Sequence, residues 1–115
     1  MATKEQKAAY QKAWYEKNKA KHIANVSARK KMVVEKVREF VRELKESTPC
    51  ADCHKNYPSY VMDFDHLGDK EYPIANMIQQ GYDIASVQRE IDKCEIVCSN
   101  CHRIRTHARL TQLAE

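Results

Sequence analysis

The sequence predicts an α+β fold, a small cysteine-stapled domain preceded by N-terminal helices. Three observations lead there. Cys50/Cys53 and Cys98/Cys101 form two Cys-x2-Cys pairs. The stretch between them passes from alternating to helical patterning and back. Residues 3–31 contain neither Gly nor Pro and are rich in Ala, Lys, Glu and Gln, which favour helix. Each Cys-x2-Cys turn points two sulfurs at one ion, so two turns complete the tetrahedral shell that zinc prefers. One pair alone would read equally well as a redox pair, but two pairs among five cysteines leave only Cys94 outside. The expectation is therefore one structural Zn2+ held by Cys50, Cys53, Cys98 and Cys101. From Cys50 onward there are 66 residues, a size at which a metal staple matters because buried apolar surface barely offsets chain entropy.

Each element follows in order. The apolar periodicity of residues 3–31 is poor, so this helix is expected to be marginal alone and ordered by a polyanion or by the domain. Val33, Val37, Phe40, Val41 and Leu44 then form one stripe, an amphipathic helix that packs on something, with a homodimer through this helix as one partner expectation. Ser47, Thr48 and Pro49 end it, because the residue before proline avoids the helical region. Residues 1–48 thus read as a basic arm with an amphipathic helix, and residues 49–115 as the zinc-stapled domain. Cys50 to His54 is the first knuckle and Asn56 to Pro58 a turn. Tyr60 to Asp65 alternates as a strand, and Leu67-Gly68-Asp69-Lys70 breaks it. A short helix from Ile74 to Gln80 stops at Gly81, and Asp83 caps another running to Ile91. Glu95 to Val97 is a strand into the second knuckle, and Ser99 caps a final helix carrying His102 towards Leu113.

The net charge of +4 conceals an asymmetry. Residues 1–31 hold nine Lys or Arg against Glu5 and Glu16, a balance of +7, and the remainder carries −3. Clustered cations gain free energy by releasing counterions from a phosphate chain, so Lys12, Lys17, Lys19, Lys21, Arg29 and Lys30 read as nucleic-acid contacts, with Trp14 among them as a stacking or groove-packing ring. The plainer alternative is a solvated lysine-rich helix. No apolar run approaches a membrane span and none follows the lysine-rich start, so neither a signal peptide nor an anchor is expected. The expected location is the cytoplasm, where thiols stay reduced.

Between the knuckles lies Phe64-Asp65-His66-Leu67, and the second knuckle runs directly into His102 as Cys98-Ser99-Asn100-Cys101-His102. In this order the chain resembles the zinc-knuckle branch of the HNH endonucleases of phages and bacteria, over about residues 50–107. The resemblance implies a ββα-metal (HNH/His-Me finger) domain. It also implies that Asp65 and His102 hold a catalytic Mg2+ or Mn2+, that His66 is the general base, and that the partner is DNA. A neutral imidazole accepts a water proton at physiological pH, and a carboxylate is a good ligand for a hard cation. Adjacent strand residues face opposite ways, so bringing Asp65 and His66 to one site calls for a bulge or a strand exit, which Gly68 permits.

The chain departs from the family where Asn is usual nine residues before the final histidine. Lys93 stands there, removing the usual support of the base and offering a phosphate contact instead. The position one helical turn past His102 is Thr106. His107 lies about 140° round the helix, towards DNA or solvent. Arg103, Arg105 and Arg109 read as phosphate contacts or as a solvated helix face. The resemblance places such a protein in the host cytoplasm if a phage encodes it. Two rivals stand beside the nuclease: a non-catalytic zinc-ribbon DNA-binding protein, and an adaptor whose Val33 to Leu44 stripe serves as a dimer or partner surface.

Overall fold

A computed structural model describes residues 2–68 and 72–114, the last two by backbone only. The chain divides into two compact units, Met1–Met32 and Val33–Glu115.

Both units share α1 (Lys4–Ser47). A reciprocal cap opens this helix. The Gln6 amide donates to Thr3 Oγ1 at 3.1 Å and the Thr3 amide to Gln6 Oε1 at 2.8 Å, satisfying two otherwise orphaned donors. In the first unit every side chain from 2 to 17 is exposed, Tyr10, Trp14 and Tyr15 included. This is as expected of a helix without an apolar stripe.

The second unit begins where the stripe begins. Val37 and Val41 are buried, with Val33, Val34, Phe40 and Leu44 packed around them, against α2 (Ile74–Gln80) and α3 (Ile84–Ile91). Of the stripe read on sequence as a dimer or partner face, Val37 and Val41 are thus buried within the chain, and Val33, Phe40 and Leu44 are partly buried. Residues 33–47, grouped with the arm on sequence alone, accordingly belong to the compact domain. Gly81 ends α2 at φ 86°, a left-handed conformation that glycine adopts without a Cβ clash, and Asp83 caps α3 by accepting from the Ser86 amide at 2.8 Å.

Two strands, β1 (Met62–His66) and β2 (Cys94–Cys98), pair antiparallel with Met62 opposite Cys98 and His66 opposite Cys94. β1 starts two residues later than expected. Ser59–Val61 forms a 3-10 turn after Pro58, with the Val61 amide donating to the Pro58 carbonyl, and only then does the chain extend. The pairing continues without a bulge through Asp65 and His66, so the irregularity expected there is absent. Asp69 and Lys70 of the expected strand break lie outside the described residues. Helix α4 (Ser99–Ala114) follows β2 and packs on both strands. The fold is thus α+β, with a two-stranded sheet between two apolar clusters. One is the helical core; the other gathers Cys50, Met62, Val97 and Cys98 around the knuckles.

Candidate functional site

The knuckles meet. One sulfur from each of Cys50, Cys53, Cys98 and Cys101 lies within 4.8 Å of the others, and Cys53 Sγ is 4.0 Å from Cys98 Sγ. A tetrahedral ion with metal–sulfur bonds of about 2.3 Å separates its sulfurs by about 3.8 Å, so the spacing fits. All five cysteines are free thiols, and the four form a cluster able to hold a metal ion such as zinc. Backbone amides already serve the sulfurs. Cys98 N–H donates to Cys50 Sγ at 3.3 Å and Cys101 N–H to Cys98 Sγ at 3.4 Å. Burial opposes ionisation of Cys50, but donors from the Cys53 and Cys98 amides outweigh it and bring its thiol down to about 6. Cys101 is pushed up to about 12, chiefly by its contact with Cys98. Four crowded sulfurs share negative charge poorly, and a cation is the group that relieves them. Cys94 stands outside this set, as the shell count requires. It packs on the helical core, and burial raises its thiol to about 11.

Asp65 and His66 leave β1 on opposite sides and do not share partners. Asp65 is 3% exposed. Arg109 grips it with two bonds, Nη1 to Oδ1 at 2.8 Å and Nη2 to Oδ2 at 2.7 Å, and Arg105 Nη1 adds a third at 2.8 Å. Those Arg109 bonds first, against burial and with help from Arg105, hold its carboxyl down to about 2. Arg105 and Arg109, expected at phosphate, are thus engaged within the chain. Arg103 is exposed and lines a 280 Å³ cleft with Asp63, Ser99, His102 and Thr106.

His102 reaches back to β1. Its Nδ1 lies 3.1 Å from Asp63 Oδ2 and its Nε2 3.6 Å from Asp65 Oδ1. His66 points the other way, with Nε2 3.0 Å from Glu90 Oε1, while Lys93 Nζ donates to Glu90 Oε2 at 3.1 Å. Lys93 therefore faces a carboxylate. Asp63, His66 and His102 nevertheless line one cavity of about 390 Å³ together with Lys45, Phe64 and Ile74. Lys45 sits 4.9 Å from the Phe64 ring centre, and burial lowers its pKa against the pull of Asp63. His107 is exposed, as are His22 and His54, and Lys12, Trp14, Lys17, Lys19, Lys21, Arg29 and Lys30 all lie on α1.

Asp63, Glu90 and Lys45 are the residues that sequence reasoning missed. Asp63 carried a signal, because it is two residues before Asp65 on a strand and so shares its face. Lys45 and Glu90 carried none, since each comes from a helix whose docking is a tertiary matter. Among the described residues, the four cysteines are the one group of three or more His, Cys, Asp or Glu placed to share an ion.

No family model, curated protein or solved structure matches this chain.

Proposed function

We propose that this protein is an HNH-type, metal-dependent DNA endonuclease that hydrolyses phosphodiester bonds, with one structural zinc at Cys50, Cys53, Cys98 and Cys101. The observation that supports it most is the shared cavity. Two imidazoles, a half-buried carboxylate and a half-buried lysine line one cavity of about 390 Å³. His66 accepts the proton of the attacking water. Lys45 and Arg103 attract the phosphate. Asp63 and His102 Nδ1, which lie 3.1 Å apart, would supply the oxygen and nitrogen donors that suit a hard divalent ion, while Asp65 faces the other ring nitrogen. When bound there, Mg2+ or Mn2+ would neutralise charge developing on the phosphate and on the departing 3′ oxygen, leaving a 5′-phosphate. Asp63 is the more available carboxylate, because Asp65 already accepts from two guanidiniums. The +7 arm supplies the general affinity for DNA.

A second reading has its own support. The saturation of Asp65 by Arg105 and Arg109 favours a zinc-ribbon DNA-binding protein without catalysis. Supercoiled plasmid incubated with Mg2+, Mn2+ or EDTA separates the two. Metal-dependent nicking, abolished in His66→Ala with zinc content and DNA binding retained, supports the nuclease. Intact plasmid under every metal, with DNA still bound, supports the ribbon.

A further inference from the structure

An ionised carboxylate removed from water costs several kcal/mol unless opposite charge and hydrogen bonds replace the solvent. Glu90 is such a group. It is 4% exposed on α3, with Lys93 on one oxygen and His66 on the other. Burial opposes its ionisation, yet the hydrogen bonds from Lys93 and His66 outweigh burial and hold its carboxyl below the ordinary value. A carboxylate has only acceptors, so the nitrogen facing it is the one that carries the hydrogen.

We infer that Glu90 is a positioning residue that holds His66 as its Nε2–H tautomer and thereby keeps the Nδ1 lone pair available to the cavity shared with Asp63 and His102. The inference rests on the reading of His66 as the base and assigns that base a partner. An imidazole free to choose its tautomer divides its time between two forms, one of which has its lone pair at the wrong nitrogen. A carboxylate on Nε2 removes the choice and fixes the ring plane at the same time. His66 supports this arrangement because its side chain is itself only 12% exposed, so water does not compete at Nε2. Lys93 then acts on Glu90 and not on phosphate: its ammonium takes the second oxygen and keeps the first one charged.

The donors around Glu90, namely Lys93, His66 and the Tyr72 backbone amide, make the test specific. In Glu90→Gln only one acceptor oxygen remains. The Lys93 ammonium and the Tyr72 amide can only donate, so they take that oxygen and the glutamine NH2 turns to His66. Nε2 must then accept, and the ring proton moves to Nδ1. Nitrogen-15 NMR of histidine-labelled protein reads this directly, with His66→Gln assigning the signal. The parent is expected to show protonated Nε2 at mildly alkaline pH. Glu90→Gln is expected to show protonated Nδ1 and a cleavage rate lower by about 10–100-fold with little change in KM. Removing the competing ammonium in Glu90→Gln/Lys93→Met leaves the oxygen a lone pair for His66 beside the Tyr72 amide, and should shift the ring back towards the Nε2–H form with partial recovery of the rate. A parent spectrum with protonated Nδ1 overturns the inference and needs no variant to fold. So does a tautomer indifferent to Glu90→Gln. If the tautomers behave as stated but the parent leaves DNA intact, the pairing stands and the nuclease reading falls.

Discussion

Arg105 holds Asp52 through two parallel bonds, Nε to Oδ2 and Nη2 to Oδ1, each 2.7 Å long. Asp52 lies inside the first Cys-x2-Cys turn and Arg105 is four residues beyond Cys101, so one guanidinium clamps the two halves of the sulfur cluster together. Its remaining nitrogen, Nη1, donates to Asp65 at 2.8 Å and lies 3.2 Å from Glu95. Helix α4, the knuckle and the sheet are joined at this one side chain.

Loss of that clamp should loosen the metal. Arg105→Ala is expected to transfer zinc to a chromogenic chelator about 10–100-fold more readily than the parent. Arg105→Lys should recover little, because an ammonium cannot reproduce the forked geometry. Equal chelator competition by all three proteins would show that the Asp52 pair is incidental to the cluster.

The cluster itself is expected to govern folding. Purified protein should carry one tightly held zinc. Cys50→Ser should lose it together with the cooperative thermal transition, whereas Cys94→Ser should keep both. Metal analysis and calorimetry check this, and a Cys50→Ser protein that melts like the parent would remove the structural role.

Asp65 should make the protein acid-sensitive in a defined window. Its folded carboxyl sits at about 2, below its ordinary 3.8. The stabilisation is therefore complete above about pH 4 and is lost as pH falls through 2, a change of about 2 kcal/mol. Asp65→Asn lacks this term, so the stability gap between parent and variant in urea unfolding should narrow by that amount between pH 4 and 2. A gap that stays constant would mean that the arginine pairs contribute nothing net.

The two aspartates should separate under the nuclease reading. Asp63→Asn is expected to raise the Mn2+ concentration needed for half-maximal cleavage by at least about tenfold while leaving the fold intact, since its side chain is 43% exposed. Asp65→Asn should destabilise the domain by about 3 kcal/mol at neutral pH, because it strands two guanidiniums. Metal titrations of cleavage alongside thermal melts distinguish these effects. The reverse pattern would return the ion to Asp65.

Under the nuclease reading, DNA affinity should divide between the arm and the cavity approach. Arg38, Arg42 and Lys45 line a 220 Å³ groove with Tyr60 and Ser59, and that groove shares Val41, Lys45 and Ile78 with the larger cavity. Deleting residues 1–31 should weaken binding and flatten its salt dependence. Arg42→Ala should lower the logarithmic salt slope by about one without altering the fold. Unchanged slopes in both proteins would assign DNA binding elsewhere.

Much of the architecture was legible without coordinates because its signals are local. The Val33 to Leu44 stripe, the Gly81 stop and the Asp83 cap each depend on backbone preferences within a few residues, and α2 and α3 occupy the expected ranges. The four sulfurs were legible too, because a Cys-x2-Cys turn determines its own geometry and zinc accepts four such ligands. What surrounds the catalytic candidates was not. His66 meets Glu90 across 24 residues, Asp65 meets Arg109 across 44, and Arg105 meets Asp52 across 53. No periodicity spans such distances. The partner of each charge is decided by strand register and by which face of α3 and α4 lies against the sheet. An unbroken β1–β2 register sends Asp63 and Asp65 to His102 and sends His66 to Glu90. The sequence alone determined which side chains are available for metal and proton chemistry. Tertiary packing decided which of them face one another, because buried charges settle only where an opposite charge or a donor replaces the water they lose.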